Sequence, residues 1–151
     1  MADRDDTLVR RVTIPADPAA VSGAMSGLQT ALADRRHPAA LHPTWQIVLA
    51  EALNNIAEHA CAGRADGRIT LTLEFGASAL HAELRDNGGP MPGNRLPPRR
   101  EPSLDVAVTD LPEGGFGWTL IHDLTTSLQY DRQDDENILI LTVPFDVAAD
   151  L

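Results

Sequence analysis

The chain has 151 residues, of which 43% are hydrophobic and 23% charged, and these values predict a globular protein with a single domain over residues 1–151. Acidic residues outnumber basic ones by 22 to 12, giving a net charge of -10, so we expect neither direct nucleic-acid binding nor attachment to an anionic membrane. Cys61 is the only cysteine, which excludes an internal disulfide. Without a recognisable signal peptide or a bilayer-spanning apolar run, we expect a cytoplasmic protein.

The first part of the chain predicts one strand followed by two helices. Apolar and polar residues alternate over 8–14, which favours a strand. Asp17 followed by Pro18 is typical of a helix start, and the apolar spacing continues this helix to about residue 34. After a proline-containing loop, a second helix is predicted over about 44–62.

The remaining regular elements are four strands and a helix. Strands are predicted over 68–75 and 79–85, paired as an antiparallel hairpin. A helix over 115–124 follows, and then strands over 127–132 and 137–145, joined by an acidic turn. This order of elements predicts an α/β fold, a two-layer sandwich with the helices on one face of a mixed sheet.

A long irregular segment, residues 87–115, separates the hairpin from the last helix. It contains six prolines and five glycines, and a loop of this length in a compact domain is usually functional or disordered. Residues 104–108 could form a short ordered piece within it. Arg95, Arg99 and Arg100 are the densest positive cluster of this acidic chain, and solvated loop charge is the simplest interpretation.

Polar residues recur every four positions on the second predicted helix, at Glu51, Asn55 and His59. Residues four apart lie on one side of an α-helix, here beside the apolar stripe that faces the core. A carboxylate there can accept a proton or hold a cation, and a carboxamide oxygen can bind Mg²⁺. Taken alone the pattern is weak, because such spacing more often marks a solvated face.

Two glycine-rich stretches complete the candidate site. The first, 86–90, places Asp86 at a strand end, where an acceptor and flexible backbone suit a flat ligand with an amino group. The second, 114–117, opens a helix whose free N–H groups favour phosphate. Each motif also has a purely structural interpretation. Glycines often only form turns, and Trp118 or His59 could be packing residues. Their conjunction is more specific than any one of them.

These motifs resemble the ATPase superfamily shared by DNA gyrase, the ninety-kilodalton heat-shock chaperones, sensor histidine kinases and mismatch-repair proteins. The stretch 51–59 resembles its N box, 86–90 its first glycine box and 115–120 its second. The resemblance extends over about 8–146. The form of the N box is similar to that of the bacterial anti-sigma-factor serine/threonine kinases, which are stand-alone domains.

The resemblance implies a role for each motif residue of the helix and the first glycine box. Asn55 would be the Mg²⁺ ligand and Glu51 the general base that activates the attacking hydroxyl or water. Asp86 would accept a hydrogen bond from the adenine amino group, and Gly88 would let the ring lie against the backbone. The fold implied is the Bergerat-type ATP-binding fold.

The second glycine box and the long loop would enclose the nucleotide. Gly115 and Gly117 would line the triphosphate, and residues 91–113 would form a lid over the ATP. The remaining motif residues expected at the nucleotide are His59, Pro90 and Trp118. Trp118 stands where the family commonly has a smaller aliphatic residue.

The resemblance implies an ATP-dependent, Mg²⁺-requiring serine/threonine kinase that acts as an anti-sigma factor. Its partners would be a sigma factor or another regulator and an anti-sigma-factor antagonist, which it would phosphorylate in a partner-switching system; a homodimer is also suggested. One alternative is a nucleotide-binding interaction module without kinase activity. Another is a domain that has lost its nucleotide, although Glu51, Asn55 and Asp86 argue against that.

Overall fold

The computed structural model describes residues 7–98 and 115–145, with side chains in the second range from Gly117 onward. The strands are β1 Leu8–Pro15, β2 Arg68–Phe75, β3 Ala79–Asp86, β4 Ser127–Gln133 and β5 Glu136–Pro144, and the helices are α1 Pro18–Asp34, α2 Thr44–Asn55 and α3 Gly115–Leu124. Each predicted helix and strand that falls within the described residues is present, with boundaries within a few residues except at the end of the second helix. The predicted ordered piece at 104–108, Arg99 and Arg100 lie outside the described residues.

The described strands form a five-stranded sheet in the order β1-β2-β3-β5-β4, with helices on one face, so the two-layer α/β prediction is confirmed. The sheet is not mixed as predicted, because each neighbouring pair is antiparallel. The reason is the β4–β5 hairpin. The described part of the connection from β3 to β4 includes α3, and β4 runs parallel to β3. However, β5 lies between these two strands and pairs with both of them in the antiparallel sense.

The core lies between the inner face of the sheet and the helices. Alternate residues of β2 point inward, and Ile69, Leu71, Leu73 and Phe75 are all fully buried. Trp45, at the start of α2, is also fully buried; its ring packs edge-on against Phe75 with 4.9 Å between centroids. Its indole N–H donates to the Ala39 carbonyl at 2.9 Å, so this large side chain is both packed and hydrogen-bonded.

Local capping and turn chemistry follow the sequence closely. The Asp17 carboxylate accepts a hydrogen bond from the Ala20 N–H at 2.8 Å, as expected of an N-cap residue at the start of α1. The acidic turn between β4 and β5 has Asp134 and Asp135 at its tip, with φ of 53° and 64°. Two positive φ values in a two-residue turn give the backbone twist that a tight hairpin requires.

The second helix ends differently from the prediction of one continuous α-helix to about residue 62. The α-helical part stops at Asn55, and one π-helical turn, Ile56–Ala60, follows. Within it the Cys61 N–H donates to the Ile56 carbonyl at 2.9 Å, a bond between residues five apart. Glu51 and Asn55 therefore keep the predicted α-helical spacing, whereas His59 lies on the wider turn. Such turns occur often at functional sites.

Among the described residues, no helix is both long and apolar enough to cross a membrane.

Candidate functional site

A cavity of about 420 Å³ opens where the π-helical turn, the end of β3 and the strands β4 and β5 meet. Five of the nine predicted site residues line it, namely Asn55, His59, Asp86, Pro90 and Trp118. Its walls are largely apolar, with Ile56, Met91 and Leu139 among them. An apolar cleft with a few polar groups is typical of a small-molecule site.

Glu51 lies beside the cavity rather than in its wall, against the first turn of α3. A Cβ atom placed on Gly117 would stand 2.7 Å from Glu51 Oε2 and 3.7 Å from Asn55 Nδ2. The structure therefore brings the second glycine motif into contact with the α2 motif. A carboxylate near a helix N-terminus is also stabilised by the helix dipole.

Asn55 carries an unsatisfied polar group at this junction. Within the part of the chain that the structure describes, its side-chain Nδ2 is buried and has no hydrogen-bond partner. Leaving a buried N–H donor without an acceptor costs about 1–3 kcal/mol, so such groups are uncommon in native structures. An acceptor on a ligand beside Asn55 Nδ2 would remove this cost.

Gly88 has a packing role besides the ligand contact expected of it. It does not line the cavity; it packs against the π-helical turn, where an added Cβ would lie 2.3 Å from the Ala60 carbonyl oxygen. The neighbouring Gly89 N–H donates to the same oxygen at 2.8 Å. Gly88 thus allows the end of β3 to dock on the end of α2, and this contact joins the first two motifs.

Asp86 is 3% exposed, and its Oδ1 accepts hydrogen bonds from the Gly88 N–H at 2.8 Å and from Asn137 Nδ2 at 2.9 Å. Burial raises the pKa of the Asp86 carboxyl, while these two hydrogen bonds and the charge of Arg132 act in the opposite direction. A carboxyl held in an apolar cavity in this way is a candidate for ligand recognition.

Three residues around Asp86 were missed by the sequence reasoning: Tyr130, Arg132 and Asn137. The signal for Asn137 was present, because the inward period-two pattern of β5 at Leu139, Leu141 and Val143 extends back to position 137. Tyr130 and Arg132 carried no comparable signal. Tyr130 and Arg132 lie near Asp86 because β4 pairs with β5, and local periodicity does not predict which strands pair.

The described part of the predicted lid, residues 91–98, is hydrogen-bonded to the rest of the domain at Met91 and at Pro97. The Met91 N–H donates to the Tyr130 hydroxyl at 3.1 Å, and His122 Nε2 hydrogen-bonds the Pro97 carbonyl at 2.8 Å. Arg95, one of the three lid arginines, is exposed and lines a separate groove beside β4 rather than the cavity. This agrees with its interpretation as solvated loop charge.

Comparison with known families agrees with this geometry. The family model of the histidine kinase-like ATPase domain matches residues 14–143, which covers most of the chain and all three motifs. This chain belongs to the histidine kinase-like ATPase domain family.

This histidine kinase-like ATPase domain is similar to one protein over nearly its whole sequence and aligns with a solved structure over part of its length. The serine/threonine-protein kinase BtrW of Bordetella bronchiseptica is 32% identical over 143 residues, covering 94% of this chain and 95% of BtrW. The histidine kinase domain of the blue-light activated histidine kinase from Erythrobacter litoralis EL346 aligns with a TM-score of 0.44 and 20% identity, covering 68% of this chain and 43% of that one.

Proposed function

We propose that this protein binds Mg·ATP in the cavity and transfers the γ-phosphate to a serine or threonine of an anti-sigma-factor antagonist. The observation that carries the proposal is the convergence of the three motifs: Gly117 lies against Glu51 and Asn55, beside a cavity that contains Asp86. The similarity to BtrW, whose name is that of a serine/threonine kinase and which matches over nearly its whole length, supports a kinase rather than another ATPase.

The residues present fit the adenine ring of a nucleotide in the cavity. The apolar side chains of Ile56, Met91 and Leu139 offer surface for a flat ring, and Trp118 also lines the cavity. The Asp86 carboxylate would accept a hydrogen bond from the amino group of adenine. His59 and Pro90 also belong to the lining, which keeps them as candidate nucleotide contacts.

The residues also fit a magnesium ion and phosphates near α3. Carboxamide and carboxylate oxygens are suitable Mg²⁺ ligands, so Asn55 Oδ1 would be the ligand here. The unsatisfied Asn55 Nδ2 is a hydrogen-bond donor, and it would suit an acceptor such as a phosphate oxygen. The N–H groups of the first turn of α3, which begins at Gly115, favour negative charge. Bound Mg²⁺ would neutralise phosphate charge during transfer.

Glu51 would serve as the general base for the attacking hydroxyl. Its carboxylate stands beside Asn55 and the start of α3, which is the region assigned to the phosphates. Because phosphoryl transfer depends mainly on positioning and charge neutralisation, few further groups are required. In the cell, the protein would sequester a sigma factor or similar regulator, and phosphorylation of the antagonist would control partner exchange.

Calorimetric titration with ATP, with and without Mg²⁺, tests nucleotide binding, and transfer from γ-labelled ATP to purified anti-sigma-factor antagonists tests the kinase activity. We expect Mg²⁺-dependent binding and labelling of a serine or threonine. The Glu51→Gln variant should keep its ATP affinity within about twofold and lose about 100-fold or more of the transfer rate, since general bases typically contribute that much.

The matched control is Glu58→Gln, which removes the same charge from an exposed position just after α2. It should leave both binding and transfer unchanged. If Glu51→Gln transfers phosphate at the wild-type rate, Glu51 is not the base. If the wild-type protein binds ATP but labels no antagonist, the alternative of a nucleotide-dependent interaction module takes its place.

A further inference from the structure

Asn137 is the centre of a hydrogen-bond network on the inner face of the sheet. It lies directly opposite Asp86 in the β3–β5 register and is 4% exposed. Its Nδ2 donates to Asp86 Oδ1 at 2.9 Å and to the Gly89 carbonyl at 2.7 Å. Its Oδ1 accepts from the Tyr130 hydroxyl at 2.5 Å and from Arg132 Nη1 at 3.0 Å. All four hydrogen-bonding positions of this carboxamide are therefore used within the protein.

The chemistry of these partners determines which way the Asn137 amide faces. An arginine side chain can only donate, so the oxygen must face Arg132, and a backbone carbonyl can only accept, so the NH₂ group must face Gly89. The donor directed at Asp86 is therefore a consequence of the network and not of an arbitrary amide assignment. Asn137 is held in one orientation.

This network leaves the two oxygens of Asp86 in different situations. Both hydrogen bonds that the described residues make to the carboxylate, from Gly88 and from Asn137, reach Oδ1. Oδ2 is then the oxygen left for a ligand in the cavity that Asp86 lines. Because rotation of the carboxylate would break both bonds, its orientation is set before a ligand binds, and preorganisation of this kind lowers the cost of binding.

The same network continues to the start of the predicted lid. The Tyr130 hydroxyl donates to Asn137 Oδ1 and accepts a hydrogen bond from the Met91 N–H. Arg132 Nη1 also donates to the Gly88 carbonyl at 3.0 Å, which ties the glycine motif to β4. A change at Asn137 would therefore reach both Asp86 and the backbone that walls the cavity.

We infer that Asn137, fixed by Tyr130 and Arg132, is a positioning residue that presents Asp86 Oδ2 to the amino group of the bound purine and thereby determines discrimination between purine bases. The inference rests on the proposed ATP site. It assigns to Asn137 no contact with the base, because its polar atoms are already engaged. Its influence on the base passes through the carboxylate.

Several charged and titratable groups lie near Asp86, and some of them shift the pKa of its carboxyl. The positive charge of Arg132 lowers the pKa of the Asp86 carboxyl, and Glu136 raises it. His59 lines the same cavity. The Cys61 thiol is also close enough to interact with Asp86. Burial and the negative charge of Asp86 both raise the pKa of this thiol. Against this background, loss of the Asn137 donor would raise the pKa of Asp86 further, since a hydrogen bond that favours the carboxylate would be gone.

The test compares ATP with inosine triphosphate, which has an oxygen in place of the amino group, in calorimetric titrations of Asn137→Asp. This substitution keeps the shape and the acceptor facing Tyr130 and Arg132, but a carboxyl oxygen replaces the NH₂ group that donates to Asp86 and to the Gly89 carbonyl. We expect ATP affinity to fall about tenfold or more while the affinity for inosine triphosphate changes little, so that the preference is largely lost. Below neutral pH, ATP affinity should decline earlier than in the wild-type protein.

The control Asn54→Asp makes the same chemical change at a half-buried position of α2 that does not line the cavity, and it should keep the wild-type preference. Tyr130→Phe retains the ring in the cavity wall and removes only the hydroxyl, so it should lower the ATP preference in the same direction by a smaller factor. Tyr130→Phe decides the matter if Asn137→Asp fails to fold.

Two results separate the inference from the proposed function. If wild-type protein binds neither nucleotide, the proposed ATP site itself is wrong and the inference falls with it. If wild-type protein prefers ATP, and the variants weaken both nucleotides equally with an unchanged pH profile, Asn137 has only a structural role and the positioning inference is overturned.

Discussion

At the scale of single residues, the two glycine motifs meet different demands. At position 88 a Cβ would collide with the backbone of Ala60, whose carbonyl oxygen and carbon would be 2.3 and 2.5 Å away. At position 117 the nearest atom would be the end of the flexible Glu51 side chain. The first glycine is therefore required by the fold, whereas a side chain at the second would displace only the Glu51 carboxylate.

We predict that Gly88→Ala destabilises the protein by about 2–4 kcal/mol, because backbone atoms cannot move aside as a side chain can. Urea denaturation measures the free energy of unfolding. The matched control is Gly27→Ala, inside α1, where an added Cβ meets nothing within 4 Å. That variant should gain about 0.5–1 kcal/mol, since alanine is the better helix former. Equal stability of the two variants would show that Gly88 is not packed as described.

At the scale of elements, the β4–β5 hairpin decides which residues reach the cavity. Its two-residue turn pairs β5 with β4, and β5 also pairs with β3. The two registers set Asn137 opposite both Arg132 and Asp86. Yet the turn is made by Asp134 and Asp135, both with positive φ, where asparagine and glycine are favoured. Left-handed backbone costs a residue with a Cβ about 1 kcal/mol.

Replacing the turn by Asp134→Asn with Asp135→Gly should therefore stabilise the hairpin and raise the free energy of unfolding by about 1 kcal/mol. Thermal and urea unfolding measure the gain. Asp134→Asn with Asp135→Asn is the matched control, because it removes the same two charges but keeps a Cβ at position 135. If both double variants gain equally, charge relief and not backbone strain explains the effect.

At the scale of the whole molecule, Asp86 links stability to pH. Burial raises the pKa of its carboxyl in the folded protein, so the folded state binds this proton more tightly than the unfolded chain does. Its contribution to stability is therefore present at low pH and is lost as the pH rises from the ordinary value for aspartate through the raised pKa. At neutral pH the buried carboxylate lowers the stability of the fold.

The Asp86→Asn variant should consequently unfold at a higher urea concentration than the wild-type protein at neutral pH, and this advantage should shrink as the pH falls toward the ordinary pKa of aspartate. The same variant should bind ATP poorly, because the acceptor for the amino group is compromised. Urea titrations across a pH series check the first expectation and calorimetry the second. A stability difference that is independent of pH would contradict the assigned titration.

The sequence by itself determined the elements and the motif residues of this protein. Period-two alternation predicted the β2–β3 hairpin, Asp17 and Pro18 predicted the start of α1, and the spacing of Glu51 and Asn55 placed both on one side of α2. These signals are local, because backbone geometry repeats every two residues in a strand and about every four in a helix.

Only the tertiary structure decided how those elements meet. Strand pairing is not encoded in local periodicity, so the antiparallel sheet, the position of β5 between its neighbours and the Asp86–Asn137 register could not be predicted. The contact of Gly88 with Ala60 also depends on a π-helical turn that a regular helix would not contain. The sequence therefore predicted some of the residues that lie around the cavity, and long-range packing determined which carboxylate oxygen, amide and glycine came together.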